Sequence, residues 1–167
     1  MKLPLFIFVA IILLGLLGWR FWSSSNQSLT PATRAVSLYY YNEMRDMELA
    51  TNGEGVACSP QAVLPVSRVI AFTNTPIQDT INELIKGQIT SSEVNQGFKT
   101  EFPHDDFKLL GANLSDGLLT LEFTEVAGFT GGGSCRVTIL ANQVIKTAKQ
   151  FPSVSEVVFK PESLFQP

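Results

Sequence analysis

One histidine, two cysteines and no cluster of lysine or arginine narrow what this chain can do. A Cys/His metal site lacks ligands here, since neither Cys58 nor Cys135 belongs to a C-x-x-C motif. Without a basic patch there is no electrostatic footprint for nucleic acid, nor for an anionic membrane surface through the soluble part. The only glycine run, Gly131-Gly132-Gly133, is followed by Ser134 with no Lys-[Ser/Thr], so it is not a nucleotide P-loop, and no cofactor motif stands elsewhere. No internal repeat divides the chain.

Charge is absent altogether from Leu3 to Trp19, the run LPLFIFVAIILLGLLGW between Lys2 and Arg20. As a helix it rises roughly 25 Å, at the short end of what spans a hydrocarbon core. Two readings compete. A cleaved signal peptide wants small residues at its cleavage site, and Trp19-Arg20-Phe21-Trp22 supplies bulk instead. An uncleaved anchor uses those same aromatics as an interfacial belt, with Arg20 snorkelling to the surface, and is the preferred reading. No Cys follows the run to carry a lipid. The short N-terminal flank favours export of the long polar domain on the other side of the run. Residues 1–22 are thus read as a cytoplasmic N-terminus and transmembrane anchor, and 23–34 as a polar linker. Beyond Pro31, ten cationic side chains face fifteen anionic ones, a net charge of −5.

In an oxidising compartment the simplest state for Cys58 and Cys135 is a disulfide; the alternative is two separate buried thiols. Along the rest of the chain, Ala35–Asn42 (AVSLYYYN) reads as a strand, and Met44–Pro60 as a polar excursion with little structure of its own. Ala62–Phe72 is extended or helical, Pro65 marking an edge or a bend. Thr75-Pro76-Ile77-Gln78 has the form of a capping box with Pro at the first helical position. Ile77, Ile81, Leu84 and Ile85 then share a helix face, and Gly87 ends it. Thr90-Ser91-Ser92-Glu93 repeats the capping signal. Phe98–Phe107 reads as a surface loop. Asp116-Gly117 between apolar runs predicts a hairpin whose second strand alternates Leu119, Leu121 and Phe123 with polar residues. Val137, Leu140, Ala141, Val144 and Ala148 predict a long helix, followed by a last strand in Val154–Lys160. The pattern is α+β: a small mixed β-sheet with two helices packed on one face.

This order of motifs resembles the GerMN domain of sporulation and spore-germination proteins. The marks are VSLYYYN, VLPVSRVIA, PIQDTINELIKGQIT, FKLLGANLSDGLLTLEF and GGGSCRVTILANQVIKTAKQFPSVSEVVF. The departures are Thr124 where the family more often has Ser, Lys160-Pro161 where it often has Asp-Gly, the Met44–Pro60 insertion and the two cysteines. The resemblance places a GerMN-like domain at 35–160 with a C-terminal tail at 161–167. It implies a ring-building-motif-like fold, an outward-facing position on the cytoplasmic membrane, and no catalytic residues.

Three groups are candidate sites. Gly131, Gly132, Gly133 and Ser134 precede a helix, where backbone N–H groups suit an anion or other ligand; the alternative is a plain connection with Ser134 as N-cap. Tyr39, Tyr40 and Tyr41 alternate across a strand, so that one or two belong to the core and the remainder is free to meet a partner. Cys135 with His104 would form a nucleophile pair if the thiol were reduced; the alternative is a solvated His and a bonded Cys. Glu101, Asp105 and Asp106 match no calcium loop. The expectation is a non-enzymatic, single-pass cytoplasmic membrane protein with its C-terminal domain extracytoplasmic. Its partners would be envelope proteins or further copies of itself; the alternative is a module that binds peptidoglycan or another envelope polymer.

Overall fold

The computed structural model describes residues 32–55 and 57–166; the apolar run and the anchor assigned to it lie outside the described residues. Among the described residues no helix is long and apolar enough to cross a membrane. The elements are β1 (Thr33–Asn42), α1 (Glu43–Thr51), a 3-10 turn (Pro60–Ala62), β2 (Val63–Ala71), α2 (Pro76–Ile85), α3 (Ser91–Asn95), β3 (Phe98–Lys99), β4 (Leu109–Ser115), β5 (Leu118–Phe123), α4 (Ser134–Lys149) and β6 (Glu156–Lys160).

Strand β1 buries Val36, Leu38, Tyr40 and Asn42 on one face, the period of two that its sequence carries. It pairs antiparallel with β2 from Thr33↔Ala71 to Tyr41↔Val63, and with β3 at Tyr41↔Lys99. The order β2-β1-β3 makes β2 an edge, which is where Pro65 is tolerated. Helix α4 and its C-cap residue Gln150 close the rest of β1's second edge with side chains. Ser37 N–H donates to Gln150 Oε1 (2.8 Å), Gln150 Nε2 donates back to Ser37 O (2.7 Å), and Tyr39 N–H donates to Thr147 Oγ1 (3.0 Å).

Strands β4 and β5 form the expected hairpin, with Asp116 and Gly117 both at positive φ (51° and 84°), as a two-residue primed turn demands. Strand β6 runs parallel to β5, and α4 supplies the crossover that a parallel pair requires. The six strands form two three-stranded sheets, β2-β1-β3 and β4-β5-β6, not the single sheet expected. Helix α4 packs on β1, β2 and β6, and α2 on β1, β4 and α4, so the two helices bridge the sheets. Between them Tyr40, Ile81, Leu84, Leu121, Phe123, Leu140 and Val144 are almost fully buried.

Other expectations change. Met44–Pro60 contains most of a nine-residue helix, α1, capped by Asn42 Oδ1, which accepts from Arg45 N–H (2.9 Å). Only Asp46 and Leu49 of that helix are buried, so its apolar periodicity is too thin to read. Thr75 precedes α2 without a side-chain cap; its hydroxyl instead donates to the Asp79 carboxylate (3.0 Å). The box at Thr90 and Glu93 does close. Gly133, not Ser134, is the N-cap of α4. The 98–107 stretch buries Phe98, Phe102 and Phe107, and the tail buries Leu164 and Phe165. Phe165 meets Phe107 and Phe159 edge-on, while Phe107 stacks on Phe123 at 4.8 Å.

Candidate functional site: a cleft beside the disulfide

The two cysteines meet. Cys58, in the loop after α1, is disulfide-bonded to Cys135 at the start of α4, with a Cα–Cα distance of 5.2 Å across a separation of 77 residues. Asp46 holds the loop that carries Cys58. Its carboxylate accepts from Cys58 N–H (2.8 Å), Ser59 N–H (2.9 Å) and the Tyr41 hydroxyl (2.9 Å). Burial opposes ionisation of Asp46, but those donors outweigh it and hold the carboxyl below its usual range. Burial, together with the Asp46 carboxylate, pushes Tyr41 up to about 12. On the far side of the loop, Lys146 donates to Pro60 O (2.7 Å) and Val63 O (3.0 Å).

Beside the disulfide lies a cleft of about 380 Å³. One wall is a single face of α4, on which Cys135, Arg136, Ile139, Leu140 and Gln143 recur at helical spacing. The opposite wall comprises Tyr41, Cys58 and the segment Lys99–Glu101. The rim charges are already paired: Arg136 with Glu101 (2.6 Å), and Lys99 with Glu43 (2.5 Å). Gln143 is 1% exposed, and its Oε1 has no hydrogen-bond partner among the described residues.

Of the predicted site residues, the structure brings Tyr41, Cys58 and Cys135 together here. Tyr40 is core: it is fully buried, its hydroxyl donates to Leu84 O (3.2 Å), and burial pushes its pKa up to about 12. Tyr39 is half-buried and does not line the cleft. Gly131–Ser134 are not among the residues that line it. Arg136 Nη1 donates to Gly131 O (2.9 Å) in that loop and to Phe129 O (2.7 Å) just before it. The nearby cleft that includes Gly131 is bordered by Glu125, an unfavourable neighbour for an anion. His104 is half-buried and stacked on Phe129 at 4.5 Å rather than solvated, and Cys135 is bonded to Cys58, so the Cys–His pair is not formed. Among the described residues no group of three or more His, Cys, Asp or Glu is arranged to hold a metal.

Asp46 and Gln143 escaped sequence reasoning. The signal for Gln143 is present in the chain, since it sits three residues after Leu140 and immediately before Val144, on the apolar face of α4. Asp46 carries no such mark, because its backbone donors come from a loop 12 and 13 residues away.

Solved structures similar to this chain include two. The tandem GerMN domains of the sporulation protein GerM from Bacillus subtilis align with a TM-score of 0.51 at 23% identity, over 80% of this chain and 40% of that one. This chain therefore spans well under half of that protein's solved length. A putative lipoprotein from Clostridium perfringens aligns with a TM-score of 0.39 at 18% identity, over 78% of this chain and 77% of that one. No curated protein matches this chain. Residues 37–162 match the family described as Germane, sporulation and spore germination, and the chain belongs to that family.

Proposed function

We propose that this protein is a membrane-anchored, extracytoplasmic interaction domain of the bacterial cell envelope, acting as a non-enzymatic scaffold through contacts with envelope proteins or with further copies of itself. The observation that carries this reading is the family match over residues 37–162. The uncharged run Leu3–Trp19 supports the anchor. The disulfide supports an oxidising compartment for the domain. Exposed apolar side chains on the β4–β5 hairpin, Leu110 (59%), Leu114 (37%) and Leu118 (40%), support contact with protein. Chemical crosslinking of tagged full-length protein in intact cells tests the reading. The expected product is either a ladder of self-multiples or a defined heterologous band. Monomer alone, with a control protein crosslinking efficiently, would overturn it in favour of polymer binding.

A further inference from the structure

One edge of the second sheet is open. In the order β4-β5-β6, β4 is an outer strand, and among the described residues no other element bonds to its free edge. Edge strands are ordinarily protected by charge, proline or short length. The other edges follow that rule: β2 carries Pro65 and Arg68, β3 has two residues, and β6 carries Glu156 and Lys160. Strand β4, LLGANLS, has neither charge nor proline. Its hairpin geometry fixes which backbone groups are free. A two-residue turn makes Ser115 and Leu118 a hydrogen-bonded pair, so Ser115 and Asn113 bond towards β5, while Leu114 and Ala112 turn their N–H and C=O groups outward. Leu110 has no partner residue in β5, because the ladder shifts between Leu109 and Gly111, and its side chain is 59% exposed. Ala112 and Leu114 lie opposite the buried Leu121 and Leu119, on the core-facing side of the sheet. There a groove of about 200 Å³ separates β4 from the start of α2, lined in part by Pro76, Ile77, Ala112 and Leu114.

We propose that β4 pairs antiparallel with β4 of a second copy of this chain, about a two-fold axis beside Ala112, joining the two β4-β5-β6 sheets into one. Self-pairing must set outward-bonding residues against each other, so even-numbered positions oppose even-numbered ones. Centred on Ala112, the strand is complementary to itself. Ala112 opposes Ala112 of the copy, and Leu110 opposes the copy's Leu114. Just beyond the strand at each end, Lys108 opposes the copy's Asp116. Lys108 and Asp116 are exposed, and among the described residues neither belongs to an ion pair. The copy's Leu110 enters beside Leu114, where the groove along α2 has room for one aliphatic side chain. These two matches, unlike charges at the ends and leucine against leucine between them, select a second copy as the occupant, because both arise from one sequence facing itself. The proposal rests on, and narrows, the reading that the domain contacts further copies of itself.

The test is oxidative crosslinking of full-length Ala112→Cys in cell membranes, with Thr120→Cys on the inner strand β5 as control. A hydrogen-bonded antiparallel pair holds its Cα atoms about 5.5 Å apart, within reach of a disulfide. The expected result is a covalent dimer through position 112 and none through position 120. Adding Lys108→Glu, an exposed position outside the strand, sets like charges against each other and should lower the dimer yield about tenfold, whereas Lys108→Arg should retain it. Three results would each overturn the pairing: no dimer through position 112, an equal yield through position 120, or a yield untouched by Lys108→Glu. The wider reading is judged separately, by amine crosslinking of the native chain in cells. Self-multiples or a heterologous band there, with position 112 silent, would leave the interaction reading standing and remove only the β4 interface. Monomer in both experiments would overturn the two together.

Discussion

Asp46 is the residue on which the cysteine loop depends. Its three donors come from β1 and from the loop, so one carboxylate ties α1 to both. Asp46→Asn replaces one acceptor oxygen with an NH₂ that faces a donor. It is expected to lower stability by about 2–3 kcal/mol in urea denaturation at neutral pH. The same change should bring Tyr41 down from about 12 toward its ordinary value of 10.0, read by absorbance titration of the phenolate. A structural defect without loss of that hydrogen bond would leave the phenol where it was. Glu93 gives a second residue-scale prediction. Arg68 (2.7 Å), then Thr90, hold it at about 2 against burial, from an ordinary value of 4.5. Above about pH 4.5 both the folded and unfolded chains carry the charge, and the contribution of Glu93 to stability is complete. As pH falls toward 2 the unfolded chain takes up a proton that the folded one refuses, so stability declines; below that the contribution is gone. Glu93→Gln should therefore cost about 1–2 kcal/mol at pH 7 and shrink the stability difference between pH 7 and pH 3.

At the scale of elements, local signals were legible wherever they were also the deciding forces. The Asp116-Gly117 turn, the Thr90 box, the alternation of β5 and the apolar face of α4 all formed as written. Helix α1 was missed because Met44 and Met47, its largest apolar side chains, are exposed, and a pattern read as burial fails there. The single sheet was an over-reading. Strand pairing is a long-range choice, and nothing local indicates that α4 side chains, rather than another strand, would close the edge of β1 at Ser37 and Tyr39. The candidate cleft was half legible: its disulfide and Tyr41 were named, whereas its buried acceptor was not. Two glycines separate local from tertiary causes. Gly53 and Gly87 both have positive φ (69° and 62°) near helix ends, but a Cβ at Gly53 meets nothing within 4 Å, whereas one at Gly87 would lie 2.0 Å from Phe102 O. Gly53→Ala should cost only the backbone term, about 1–2 kcal/mol. Gly87→Ala should cost more than about 3 kcal/mol, because the backbone leading to Phe102 has to move and that ring sits in the aromatic cluster. Thermal unfolding of the two variants side by side checks the contrast.

For the whole molecule, the disulfide is where stability and location meet. It joins the loop after α1 to the first turn of α4, and so links β1's neighbour in sequence to the helix that bridges both sheets. In the chain-entropy account, a crosslink closing a loop of this length stabilises a fold by about 4.5 kcal/mol at most. Cys58→Ser with Cys135→Ser should therefore lower stability by about 2–4 kcal/mol, measured in urea without reductant. The loss should approach that full value if Asp46 and Lys146 keep the loop docked without the bond, since the crosslink then acts on the unfolded chain alone. The same two thiols report where the domain resides. Cells lysed directly into an alkylating reagent and denaturant, with no reductant, should yield full-length protein with both thiols blocked from alkylation. Glutathione keeps thiols of a cytosolic domain reduced, so the opposite topology would yield two alkylated cysteines. That count bears on the proposed location independently of any partner. Two free thiols, with a double serine variant as stable as the native chain, would place the domain on the cytoplasmic side and remove the redox support for export.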